Sequence, residues 1–474
     1  MSKKIVVVGA GLGGLTAAAL LAKAGHDVTV LEGNSWIGGK SRRIDVAGQR
    51  IDTGPSLITF PEVIDELYNR YDKLGHESNA RDIADLTLGK LPEVGRYFFK
   101  NKIVNLPVEP GHEWFESWKR FDEIHGSLSP EITKLLTTSP FSMKTLKPVG
   151  ALTKNYGLRL STSSYLKGLK WLPEGLREVI AIHTLNAGIS PERTLALYAT
   201  MPAVMAREGI SVPIGGVYEI ALALGRMATE AGAKIITNTR VTSIRKGLVS
   251  TSAGDFEADV VVGATDAEVL GRLLGKKPKS NSKVSCSGVA LFVTLKKPLP
   301  ESIVTHSVIM PSSPEALHSS LDATQVPQET MAFLNYYKPG HIYPNTKATA
   351  AILLTAPANG EKFELSDPFI QRELKRISKM IGLDFNISEL IEDYKILDPS
   401  YFAEFGANGG SLYGSTRPIW SGGPFHFPTY NSLFRSWLWR VGASVHPGGG
   451  VPAVLGGAMI SMSHLLKRIG STKR

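Results

Sequence analysis

The chain is 474 residues long, 43% hydrophobic and 20% charged, which excludes a disordered or collagen-like polymer and, at roughly 150 residues per domain, favours more than one domain. Cys286 is the single cysteine, so an internal disulfide and a cysteine-built zinc site are excluded, and a reducing compartment is the natural setting. A net charge of +10 favours anionic partners, either nucleic acid or an acidic membrane face.

Ile5 to Val8 is a short apolar, β-branched run, as expected of a parallel strand buried on both faces. It leads into Gly9-Ala10-Gly11-Leu12-Gly13-Gly14, then into helix formers from Leu15 to Lys23. A second strand, Val28 to Leu31, ends at Glu32. Gly9 permits the tight turn, Gly11 lets backbone N–H groups approach a pyrophosphate, and Gly14 lets helix and strand pack closely. The helix N-terminus supplies partial positive charge for the phosphates, and Glu32 accepts hydrogen bonds from ribose hydroxyls. These elements point to a dinucleotide, nicotinamide or flavin. The uncharged stretch 5–22 follows Lys3 and Lys4 in the manner of a signal peptide, but its glycines do not suit one. Residues 441–466 are also uncharged, and two prolines and six glycines interrupt them. A span needs about 20 mainly apolar residues in one continuous helix, so neither stretch is read as an anchor.

Gly38-Gly39-Lys40 and Asp52-Thr53-Gly54-Pro55 follow where a nicotinamide enzyme would carry its next β-α unit. With these motifs the chain resembles the flavoproteins with two dinucleotide-binding domains, whose amine oxidase and phytoene desaturase branches carry GG[RK] and D-x-G-P. The resemblance implies that Gly38, Gly39, Lys40, Gly54 and Pro55 line an FAD molecule, together with Gly9, Gly11, Gly13, Gly14 and Glu32.

Residues 52–130 read as loops and helices, with an amphipathic helix starting at Pro61. From Ile132 to Pro173 there is no acidic residue. Lys134, Lys144, Lys147, Lys154, Arg159, Lys167 and Lys170 alternate there with Phe141, Tyr156, Tyr165 and Trp171, a mixture suited to anionic lipid headgroups. No nucleic-acid module is recognisable, so nucleic acid is not an expected partner. His183 reads as a structural residue, and no hydrolase constellation or internal repeat is present. A helix is expected over Glu219 to Ala231, then strands over Lys234 to Thr237, Thr239 to Ile244 and Ala258 to Ala264. Gly288 to Leu295 and Ala348 to Thr355 read as strands of a second domain, with helices over Pro368 to Ile381 and Ile387 to Tyr394.

The run Arg440 to Pro452, with His446-Pro447-Gly448-Gly449-Gly450-Val451-Pro452 at its centre, passes from a strand through a glycine loop into the helix Ala453 to Ile469. Backbone amides at such a helix start suit the side of a flavin ring where charge accumulates on reduction. This run is similar to the bacterial phytoene desaturase (carotenoid desaturase) family. Asn408 to Gly414 is closer to the members acting on already unsaturated or hydroxylated carotenoids. Lys40 departs from the more usual arginine, keeping charge but losing bidentate geometry.

The resemblance implies an α/β fold: a Rossmann-type FAD-binding domain, a discontinuous α+β substrate domain and a helical membrane-facing lid. The ranges expected are 1–100, 211–280 and 406–474 for the FAD-binding domain, 101–210 for the lid and 281–405 for the substrate domain. Gly442, Gly450, Val451 and Pro452 would hold the flavin, and Val241 its adenine edge. The implied reaction dehydrogenates a long polyene hydrocarbon, with His446 as candidate base and oxygen or a quinone as electron acceptor. The enzyme would sit peripherally on the inner, cytoplasmic face of a membrane. The rival expectations are a flavin-dependent carotenoid cis–trans isomerase, an amine or protoporphyrinogen oxidase, and a non-catalytic scaffold.

Overall fold

A computed structural model describes residues 1–75, 79–277, 283–416, 419, 426, 429–432 and 434–472. The apolar run Lys4–Val8 forms the centre of a six-stranded sheet. Val260–Gly263 and Asp27–Leu31 flank it in parallel, Val7 lying opposite both Val262 and Val30. Arg435–Arg440 and Lys234–Ile236 extend the sheet outwards, and Asn431–Ser432 closes one edge in antiparallel sense. The chain's beginning, middle and end are therefore neighbours in one sheet.

The helix Leu12–Lys23 has no polar face: Leu15, Leu21 and Ala17 to Ala19 are fully buried, as expected of a helix covered on all sides. Its neighbours are the sheet and the helices Glu219–Glu230 and Val451–Ile469. The small side chains of Ala17 to Ala19 allow this close approach, and each buried leucine contributes about 1.5–3 kcal/mol. A three-stranded meander, Val241–Arg245, Gly247–Thr251 and Gly254–Ala258, caps the other face.

The second sheet has seven strands in the spatial order Ile391–Leu397, Ser287–Leu295, Thr349–Ala356, Ala332–Tyr337, His306–Ile309, Gly95–Phe99 and Lys102–Leu106. Two sequence expectations are corrected here. The hairpin Gly95–Leu106 straddles the expected 100/101 boundary and belongs to the second sheet, where Tyr97 lies opposite Val308. Ile387 to Tyr394 is no α-helix: a 3-10 turn over Ile387–Leu390 gives way to the edge strand Ile391–Leu397. The expected 280/281 boundary lies outside the described residues.

Residues 115–208 are built from the helices Phe115–His125, Ser129–Thr137, Leu146–Tyr156, Thr162–Gly168, Glu174–Ala181 and Met201–Glu208, linked by 3-10 turns. Tyr156 and Tyr165, read from sequence as surface aromatics, are buried. His125 pairs through Nε2 with the Tyr165 hydroxyl and through Nδ1 with Thr200 Oγ1, each at 3.0 Å, and Tyr156 bonds the same threonine. Trp171 is half-buried against the Arg120 guanidinium. Among the described residues, no helix is long and apolar enough to cross a membrane.

Candidate functional site

The site begins at the glycine turn after the first strand. Gly9 has φ of +102°, and a Cβ on Gly14 would stand 2.1 Å from the Gly9 carbonyl oxygen. Turn and helix start can therefore touch only with glycine in place. Gly11, the N-cap of the helix, is the opposite case, since a Cβ there would have no protein atom within 4 Å. Its open side lies at the helix N-terminus, where backbone N–H groups and the helix dipole favour an anion.

Three further segments close around this turn. Gly38 donates its N–H to Ala10 O at 2.7 Å, and a Cβ on Gly39 would come within 3.2 Å of Gly11 Cα. Gly54, with Pro55 after it, packs against Lys40 O and Ser41. From the far end of the chain, Gly442 N lies 2.9 Å from a Cβ built on Gly13, so the two terminal glycine loops are in direct contact.

Glu32 is buried at the end of its strand. Its carboxylate accepts from Ala10 N–H at 2.8 Å, Asn34 N–H at 2.9 Å and Asn34 Nδ2 at 2.8 Å. Two carboxylate oxygens offer about four acceptor positions, which leaves one for a hydroxyl. Thr239 N–H bonds Glu32 O, and Gly33 packs on Arg240. Val241, the first residue of the edge strand of the meander, is thereby held beside Glu32.

Asp52 is a brace. It takes a bond from Arg43 Nε at 3.0 Å and from Tyr218 N–H at 2.8 Å, tying the first domain to the loop before Glu219. Burial raises its carboxyl above the usual range, against the opposing pull of Arg43. The Lys40 side chain is solvent-accessible. Its Nζ donates to Leu412 O at 2.6 Å, and burial lowers its ammonium pKa, partly offset by Asp266. Asp266 in turn accepts from Ser444 Oγ at 3.1 Å, linking the strand end at Gly263 to the C-terminal loop.

That loop starts the helix Val451–Ile469. Pro452 lacks an N–H, so Val451 and Ala453 are the residues that carry the free donors of the first turn. Cβ atoms on Gly448 and Gly450 would meet nothing within 4 Å, leaving the helix start open on that side. His446 lies in the same loop, its Nδ1 2.7 Å from the Tyr430 hydroxyl, and burial pushes its imidazole down to about 4. His183 bonds the Tyr97 hydroxyl at 3.0 Å inside the protein and is structural.

Residues outside the expected set also face this region. The Tyr413 ring is wedged between Gly188 and Gly449, 2.6 and 2.8 Å from Cβ atoms built on them. Burial raises the Tyr413 phenol, with smaller contributions in the same direction from Cys286 and Tyr198. Neither hydroxyl has a hydrogen-bond partner among the described residues. Tyr413 belongs to the Asn408–Gly414 run read from sequence, whereas nothing in the sequence pairs it with Tyr198, 215 positions earlier.

The residues fit a bound dinucleotide. Buried Ser41 Oγ, Thr265 Oγ1 and Ser411 Oγ have no partner, and they stand beside Gly54, Gly9 and Leu412. Buried hydroxyls are normally paired, and the open flanks of Gly11 and Gly450 leave room for a ligand that pairs them. Among the described residues, no group of three His, Cys, Asp or Glu side chains could hold a metal ion.

Comparison with known proteins agrees with this geometry. Residues 12–403 match the family model of flavin containing amine oxidoreductases. The chain is 25% identical to a phytoene desaturase of Fusarium fujikuroi over 99% of its length and 90% of that protein's. It is 25% identical to a 1-hydroxycarotenoid 3,4-desaturase of Flavobacterium sp. (strain P99-3), over 97% of this chain and 98% of that one. Cyclohexylamine oxidase from Brevibacterium oxydans IH-35A shares the fold at a TM-score of 0.63 and 14% identity, over 99% and 100% of the two chains. The dinucleotide is FAD, and the chain belongs to the flavin containing amine oxidoreductase family.

Proposed function

We propose that this protein is an FAD-dependent carotenoid desaturase that dehydrogenates a long polyene, one already unsaturated or hydroxylated. The observation that carries the reading is full-length similarity to proteins named as carotenoid desaturases, over 97–99% of this chain. A lipid-borne substrate calls for work at the inner, cytoplasmic face of a membrane, with residues 115–208 as the lid through which the polyene enters. Oxygen or a quinone is the final electron acceptor in this reading.

FAD, when bound, supplies the two-electron acceptor for the C–H bond that breaks. The protein's share is to orient the chain, exclude water and manage one proton. His446 is neutral near pH 7 because burial holds its imidazole down at about 4. Burial also pushes the Tyr430 phenol up, so it stays protonated. In the tautomer whose Nδ1 proton is accepted by the phenol oxygen, Nε2 of His446 carries the lone pair that this reading assigns to the substrate proton. The first-turn amides at Val451 and Ala453 favour negative charge beside them, and the Lys40 ammonium, held at Leu412 O, is a further positive charge for the cofactor in this reading.

Expression in a lycopene- or neurosporene-producing cell tests the proposal. The expected pigment is lighter by two hydrogens for each double bond introduced. A product of unchanged mass identifies an isomerase instead, and unaltered pigment removes the carotenoid reading.

A further inference from the structure

Among the described residues, twelve large hydrophobic side chains are exposed, and six of them fall between positions 141 and 160: Phe141, Met143, Leu146, Val149, Leu158 and Leu160. Scattered single exposures are ordinary, whereas a concentrated cluster marks a surface that meets something apolar. Leu158 is 99% exposed and Met143 80%, so these side chains project from the body.

The helix Leu146–Tyr156 organises the cluster. Pro148 and Tyr156 are buried on its inner face, and Tyr156 is fastened beneath it to Thr200. Leu146, Val149, Gly150 and Thr153 recur at i, i+3, i+4 and i+7 and are all exposed, forming one outward stripe without charge. Lys147 and Lys154, one heptad apart, stand together along one flank of that stripe, and both are exposed. Lys144 precedes the helix and Arg159 follows it, also exposed. No carboxylate occurs from 132 to 173 to neutralise these cations.

We infer that residues 141–160 are a wedge that inserts its apolar stripe into a bilayer and sets its cations among anionic lipid headgroups. Charge decides between occupants. A second copy of this chain would bring the same cations against these and carries +10 overall, whereas an anionic lipid surface complements both the apolar stripe and its flank. The sequence placed Phe141, Tyr156, Tyr165 and Trp171 among these cations as the apolar part. The structure keeps Phe141 at the surface, turns Tyr156 and Tyr165 inward, and adds Met143, Leu146, Val149, Leu158 and Leu160. The inference deepens the carotenoid reading by naming where the enzyme meets the lipid that holds its substrate.

The test is sedimentation of the FAD-loaded, full-length protein with phosphatidylglycerol vesicles and with phosphatidylcholine vesicles. The wild type should bind the anionic vesicles at least tenfold more tightly, and weaken with added salt. The triple variant L146Q/V149Q/L158Q should lose at least tenfold on both vesicle types. The double variant K147Q/K154Q should lose affinity only for the anionic ones and show a flatter salt dependence. All these positions are exposed, so FAD content and melting temperature should stay at wild-type values. Vesicle binding by the triple variant equal to wild type overturns the wedge. So does a wild-type dimer in solution that the triple variant dissolves, which would make the patch an interface between copies. Turnover of detergent-dispersed carotenoid is measured alongside. Its absence removes the desaturase reading while vesicle binding still judges the wedge.

Discussion

Two alanine substitutions three residues apart should fail in opposite ways. At Gly11 the backbone has φ of −69° and ψ of 171°, open to any L residue, and the new methyl would meet no protein atom within 4 Å. Gly11→Ala should therefore leave the FAD-free protein's stability within about 1 kcal/mol of wild type, the modest penalty of alanine at an N-cap. The same methyl occupies the space through which a diphosphate must approach the helix amides. Losing one hydrogen bond to a charged group costs about 1.5–3 kcal/mol, or roughly 10- to 150-fold in FAD affinity. At Gly14 the methyl would lie 2.1 Å from Gly9 O and 2.9 Å from Ala264 Cβ. Strand and helix must part, and overpacking of this kind costs about 1–3 kcal/mol or more. Gly14→Ala should thus destabilise the FAD-free protein itself. Urea denaturation of the FAD-free proteins and a fluorescence titration with FAD separate the two effects. The reasoning is refuted if Gly11→Ala binds FAD like wild type, or if it destabilises the FAD-free fold as much as Gly14→Ala.

His446→Gln should retain FAD and lower kcat by about 10²–10⁴, the usual contribution of a general base; an unchanged kcat would place the base elsewhere. Acid should weaken the fold before it reaches the carboxylates. Burial lowers His125 and His306 to about 4 and His183 to about 3. As pH falls through 6.5 the unfolded chain takes up these protons first, so the stability is complete above about 6.5 and drains away down to the folded values. Each group contributes about 1.4 kcal/mol per pH unit in that window. The urea midpoint should fall between pH 6.5 and 4, and His125→Asn should shallow that slope; a midpoint flat across the window contradicts the burial.

The glycine turn after the first strand was legible because its constraints are local. A turn with φ of +102° and a 2.1 Å contact leave only glycine, and Glu32 must sit at a strand end for its carboxylate to reach the turn. The missing parts depend on distant partners. Gly95–Phe99 pairs with His306–Ile309, over 200 positions away, so a short run after loops gave no sign of its sheet. Ile387, Leu390, Ile391 and Tyr394 recur at helical spacing, yet pairing with Ser287–Leu295 draws the second half into a strand; tertiary hydrogen bonding overrode the period. Composition predicted an anion-seeking helical segment, but could not tell which aromatics would turn inward to His125.

The most direct measurement is anaerobic mixing of the FAD-loaded protein with a long polyene, followed by absorbance and product mass. One equivalent of substrate should bleach the oxidised flavin band and yield a product two hydrogens lighter. A flavin that stays oxidised while the polyene is unchanged, or merely isomerised, would contradict a desaturase.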